Sequence, residues 1–179
     1  MNAVLVTGYK MHELGVFNES HEGVQWIKLV LKKRIIALIE EGVTWFITSG
    51  QLGVEQWAMD VVSDLQESDY PTVQLGLLTP FEEQESKWNE RLQERYHERL
   101  VKADFVDSIS KRPYENPVQL KVKNEYLVQK TDAVLVLYDE EKEGSPKYYI
   151  NVARSLDKPI FMISPEEIEE ARREALDDF

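Results

Sequence analysis

Short apolar and β-branched runs alternate along the chain with longer stretches in which apolar residues recur every three or four positions. The short runs predict strands at Ala3–Thr7, Val43–Thr48, Thr72–Leu78, Asp104–Ile109, Ala133–Tyr138 and Pro159–Ile163. Several are apolar almost throughout, as expected for strands covered on both faces. The intervals predict helices. Val24, Ile27, Leu31, Ile35 and Leu38 mark the first, with Gly42 placed as a C-terminal glycine. Val54, Trp57, Ala58, Val61, Val62 and Leu65 form the apolar face of the second. A third is expected over about 84–103, with Trp88, Leu92, Tyr96, Leu100 and Ala103 inward. A fourth spans Val118–Lys130, and a fifth follows Pro146. The last starts at Ser164, where Ser-Pro-Glu-Glu offers an N-cap, a proline at N1 and a capping-box Glu167. This alternation predicts an α/β fold with a mostly parallel, doubly wound sheet in a single domain, residues 1–179.

Composition narrows the classes of function. The chain has 179 residues, enough for one cored domain, and no cysteine, which excludes disulfides and thiolate chemistry. The start, MNAVLVTGYK, lacks the basic head and long apolar stretch of a signal peptide. No run approaches the roughly 20 apolar residues of a membrane span. The expectation is a cytoplasmic protein with no membrane insertion. The net charge of −12 repels nucleic acid, making it an unlikely partner, but a small anion needs only a few local donors.

In such sheets ligands sit beyond the carboxyl ends of the strands, so the candidates are the residues that follow each strand. After the first come Gly8 and Lys10, a close-approach glycine and a point charge for phosphate, or a plain turn with a surface lysine. After the second comes Thr48-Ser49-Gly50-Gln51-Leu52-Gly53-Val54-Glu55. Here Ser49, Gly50 and Gly53 lead into a helix whose first amides could hold an anion. A tight turn without ligand is the alternative. Glu55 suits ribose hydroxyls or an exocyclic amine better than phosphate, and it is the acid/base or nucleophile candidate if an enzyme is present. After the third strand, Thr79 and Gln84 are polar candidates and Phe81 could stack on a base. Lys111, Arg112, Lys121 and Lys123 form a basic island beside one acid, Glu115. After the fifth strand, Gly144 and Ser145 precede Pro146 at another helix start. His12, His21 and His97 have no metal-ligand spacing, so no metal is expected. Arg91, Arg95 and Arg99, interleaved with Glu90, Glu94 and Glu98, read as a salt-bridged surface.

The run from Thr48 to Ala58, the early Thr7-Gly8-Tyr9-Lys10, the Lys123-Asn124 pair and Gly144-Ser145 together resemble the YpsA (UPF0398) family, a branch of the SLOG superfamily that includes the DprA and LOG proteins. The resemblance covers essentially the whole chain. It implies a Rossmann-like fold and a site for a nucleotide derivative, ADP-ribose or NAD-related, with no required cofactor. It assigns Gly53, Glu55 and Asn124 to that site, Lys123 standing where relatives have Arg. It also implies a link to cell division and growth control in Gram-positive bacteria, hence a protein partner there. Homo-oligomerisation is left open. LOG-type phosphoribohydrolases carry a double glycine followed by Thr and a downstream Glu, whereas this chain reads Glu143-Gly144-Ser145-Pro146. The expectation is therefore a ligand-binding regulatory protein. A hydrolase of N-glycosidic or phosphoribosyl bonds is the second reading, and single-stranded DNA binding the least favoured.

Overall fold

Strand β1 (Ala3–Gly8) lies at the centre of a six-stranded sheet and is buried along nearly its whole length. The computed structural model describes residues 1–178. The other strands are β2 (Trp45–Thr48), β3 (Gln74–Phe81), β4 (Phe105–Ser110), β5 (Ala133–Leu137) and β6 (Ile160–Ile163). Their order is β4-β3-β2-β1-β5-β6, and every pairing is parallel. The helices are α1 (Glu22–Glu40), α2 (Val54–Gln66), α3 (Glu90–Lys102), α4 (Val118–Lys130), α5 (Pro146–Ser155) and α6 (Pro165–Asp177), with a 3₁₀ turn at His12–Leu14. This is a Rossmann-like α/β arrangement, as the alternation of patterns predicted.

The chain builds outward from β1 to β4, then crosses back and adds β5 and β6 on the other side. The direction therefore reverses between β1 and β5, and a crevice opens there beyond their carboxyl ends. Full burial of β5 requires cover on both faces. Two helix groups supply it: α1 packs on α2 and α6 with α2 on α3, while α4 packs on α5. Trp57, Phe46, Leu5, Leu135 and Ile150 are among the fully buried core side chains.

Two local expectations are corrected. The third helix begins at Glu90, because the Asn89 side chain accepts from the Leu92 amide and caps it there. Residues 84–88 form turns, after Glu83 at a positive φ of 56°. Arg99 does not belong to an exposed ladder. It is buried, donating to both carboxylate oxygens of Asp60 and to Gln56, and it pairs with Glu19. Among the described residues no helix is long and apolar enough to cross a membrane.

Candidate functional site

Two strand ends and the start of α2 meet around one carboxylate. Glu55, in the first turn of α2, is only 3% exposed. It accepts from the Thr7 hydroxyl at the end of β1 (2.8 Å), from the Ser49 hydroxyl just past β2 (2.6 Å) and from the Gln51 amide (3.0 Å). A buried carboxylate is tolerated only when its oxygens are so satisfied. Two of the amides expected around the start of α2 to hold a ligand anion are committed within the protein. Gln51 N–H goes to Glu55, and Val54 N–H goes to the Tyr9 carbonyl.

From Glu55 a line of hydrogen bonds runs to a buried amine. Ser49 Oγ lies 3.3 Å from the Tyr149 hydroxyl, and Lys123 Nζ donates to that hydroxyl at 2.8 Å. The direction is forced. Ser49 has one hydroxyl hydrogen, committed to the carboxylate, so Tyr149 must donate to Ser49 and accept from Lys123. Burial pushes the Lys123 ammonium down to about 8, against the attraction of Glu55 and with added repulsion from Lys10. Burial likewise raises the Tyr149 phenol well above its ordinary value, reinforced by the Glu55 charge.

These groups border a cavity of about 590 Å³ at the β1/β5 crevice. Thr7, Gly8, Lys10, Gln51 and Glu55 form one wall, and α4 contributes Leu120, Lys121, Lys123 and Asn124. From the α5 side come Ser145, Tyr148, Tyr149, Asn151 and Val152. The Asn124 Oδ1 atom is buried and has no hydrogen-bond partner. Glu13 ties the rim together by accepting from the Lys10 amide (2.8 Å) and from the Ser145 amide and hydroxyl (2.7 Å each). Burial opposes its charge, but those hydrogen bonds outweigh it and hold the carboxyl below its usual range.

Of the sequence candidates, Gly8, Lys10, Glu55, Asn124 and Ser145 share this cavity. Ser49 lies beneath it in the hydrogen-bonded line. Gly50, at φ +77°, packs toward Leu77, and Gly53, at φ +115°, has backbone where a side chain would go: a Cβ would lie 2.6 Å from the Tyr9 carbonyl oxygen. Gly144 meets Glu13 and the Tyr9 ring. Like Ser49, Gly50, Gly53 and Gly144, the remaining three candidates do not line the cavity. Thr79 bonds Ser108 at 3.0 Å, Phe81 packs on Tyr114, and Gln84 binds Ser49 O and Tyr96 from behind the Gly50 turn. The basic island divides: Lys121 and Lys123 enter the cavity, while Lys111 pairs with Asp107 and Arg112 with Glu115 outside it. Sequence reading missed Tyr149 and the buried role of Lys123. Helical spacing from Pro146 was the one available signal for Tyr149.

Comparison with known proteins is consistent with this fold. A family model named YpsA, described as a SLOG family, matches residues 4–168. A UPF0398 protein of Shouchella clausii is 59% identical over 180 residues, covering 100% of this chain and 96% of its own. Another, from Halalkalibacterium halodurans, is 56% identical over 173 residues, covering 94% and 91%. Among solved structures, DNA processing protein A from Helicobacter pylori, described for its single-stranded DNA binding mode, superposes with a TM-score of 0.58. The identity is 13%, with 99% of this chain and 81% of that one covered. At that identity the likeness concerns the fold.

Proposed function

The chain belongs to the YpsA SLOG family, and from that premise we propose that it is a regulatory protein whose β1/β5 cavity binds a nucleotide-derived small molecule, ADP-ribose or an NAD-related compound. One observation carries the reading. A protein of net charge −12 gathers Lys10, Lys121 and Lys123 with the Glu55 carboxylate around one cavity at the switch point of its sheet. The volume of about 590 Å³ falls within the usual range for ligand pockets. Lysines offer point charges for phosphates, Glu55 accepts from sugar hydroxyls, and the unpartnered Asn124 oxygen accepts from an amine or hydroxyl. The exposed Tyr148 ring offers a stacking face for a base. Bound ligand would then be signalled to a protein partner, for which the family points to cell division and growth control.

A thermal-shift panel of ADP-ribose, NAD, AMP, ribose 5-phosphate and inorganic phosphate tests the reading. Stabilisation by at least one nucleotide, beyond that given by phosphate alone, is expected. Silence across the panel overturns it.

A second reading, hydrolysis of an N-glycosidic bond, is favoured by one fact: Glu55 is a carboxylate in the cavity wall. Overnight incubation of the binding nucleotide, followed by chromatography, separates the two. Released base supports the enzyme, and intact nucleotide supports the sensor.

A further inference from the structure

Lys123 is buried, lines the cavity, and has the Tyr149 hydroxyl as its hydrogen-bond partner among the described residues. Two of its three N–H bonds are thus uncommitted. Its neighbour in the line, Tyr149, passes a hydrogen bond to Ser49, and Ser49 passes one to Glu55. Every link points the same way, from amine to carboxylate. Moving one proton along each link leaves Lys123 as a free amine and Glu55 as a carboxylic acid, with no change in total charge. Such chains couple their ends.

We infer that Lys123 is a carbonyl-capturing amine, and that the cavity takes a phosphorylated sugar or nucleotide with a free anomeric carbon, held as a reversible imine on Nζ. This rests on the reading of the cavity as a nucleotide-derivative site and narrows it. ADP-ribose qualifies, because its terminal ribose opens to an aldehyde. NAD and AMP do not, because their anomeric carbons are glycosylated.

The step balances. The Lys123 ammonium releases a proton along Tyr149 and Ser49 to Glu55. The amine nitrogen then attacks the aldehyde carbon, its lone pair forming the C–N bond as the carbonyl π pair moves to oxygen. A proton passes from nitrogen to that oxygen, giving a carbinolamine. Glu55 returns its proton to the hydroxyl, which leaves as water, and the nitrogen lone pair closes the protonated C=N bond. The sum is ammonium plus aldehyde giving protonated imine plus water, with Glu55 restored. Lys10 and Glu55 are the charged groups acting on Lys123, and burial with Lys10 outweighs Glu55. Free amine is therefore some two orders of magnitude more abundant near neutral pH than for an ordinary lysine. Buried lysines of this kind serve Schiff-base chemistry.

The test traps the imine. The intact protein is incubated with ADP-ribose, with ribose 5-phosphate, with NAD or with AMP, reduced with cyanoborohydride, and mapped by mass spectrometry, with calorimetry of ADP-ribose in parallel. One adduct at Lys123 is expected with ADP-ribose, forming at least tenfold faster than at any surface lysine. Its rate should rise up to a pH of about 8, and it should be absent with NAD, with AMP and in Lys123→Arg. Because the site is read from the peptide map of the unaltered protein, the result does not depend on that variant folding. Adducts spread over surface lysines, or centred on Lys10, overturn the inference. ADP-ribose binding without any adduct overturns it alone. Neither binding nor adduct overturns both it and the nucleotide reading.

Discussion

Lys123 on α4 and Tyr149 on α5 meet at 2.8 Å, Nζ to hydroxyl, in the buried wall of the cavity. That contact joins two helices from opposite ends of the β5 crossover and places a charge where burial opposes it. It makes stability dependent on pH with a definite sign. Lys123 titrates near 8 when folded and near 10.5 when unfolded. Below 8 both states carry the charge and the burial cost is present in full. Between 8 and 10 the unfolded chain binds the extra proton, so stability rises with pH. Above about 10 the raised Tyr149 phenol acts oppositely, since the unfolded chain loses that proton first. Denaturant melts of the wild type and Lys123→Met across pH 7–10 should show the wild type gaining about 2 kcal/mol on the variant over that window. Parallel curves would argue against a strained ammonium.

Glu55 attracts the Lys123 charge through the hydrogen-bonded line, so Glu55→Gln should lower further the pH at which Lys123 titrates. It should also cost about 1–3 kcal/mol, since an amide cannot accept from Thr7, Ser49 and the Gln51 amide together. The pH profile of Lys123 modification by an amine-reactive reagent reads the first effect, and urea melts read the second.

Gly53 and Gly42 both sit at positive φ, but their surroundings differ. A Cβ on Gly42 meets open space, and one on Gly53 meets the Tyr9 and Met11 backbone. Gly42→Ala should cost about 1 kcal/mol of backbone strain. Gly53→Ala should cost clearly more, because backbone has to move. Equal melting temperatures for the two variants would contradict this account of the turn.

Glu13 holds the β1 loop against the start of α5 through Lys10 and Ser145. Glu13→Ala should loosen the rim. We expect ligand affinity to fall several-fold, and amide exchange at residues 10 and 145 to speed up while core strands keep their protection.

Much of the fold was legible in the sequence because a parallel sheet needs both faces covered, which makes apolar runs such as Ala133–Leu137 conspicuous. The carboxyl ends of those runs pointed to Gly8, Lys10, Glu55 and Ser145, which are neighbours in one cavity, and the family resemblance added Asn124. Pattern alone does not separate a glycine that faces a ligand from one that faces backbone, and so Gly53 read as ligand contact. Nor does it show a lysine turned inward: Lys123 looked like loop charge, because its partner Tyr149 comes 26 residues downstream and that tyrosine's own partner, Ser49, lies on the far side of β1. Phe81 and Thr79 followed the same strand-end rule but lie within β3, paired with β4 and away from the switch point.

The most direct test of the central claim fills the cavity. Val152 lines it from α5 and is half-buried, so Val152→Trp adds bulk without disturbing the strands. Calorimetry of ADP-ribose against both proteins, at equal folded concentration, should give a single saturable site in the wild type and an affinity at least tenfold weaker in Val152→Trp. Equal affinity in the two proteins would show that the ligand does not occupy this cavity, and would contradict the account.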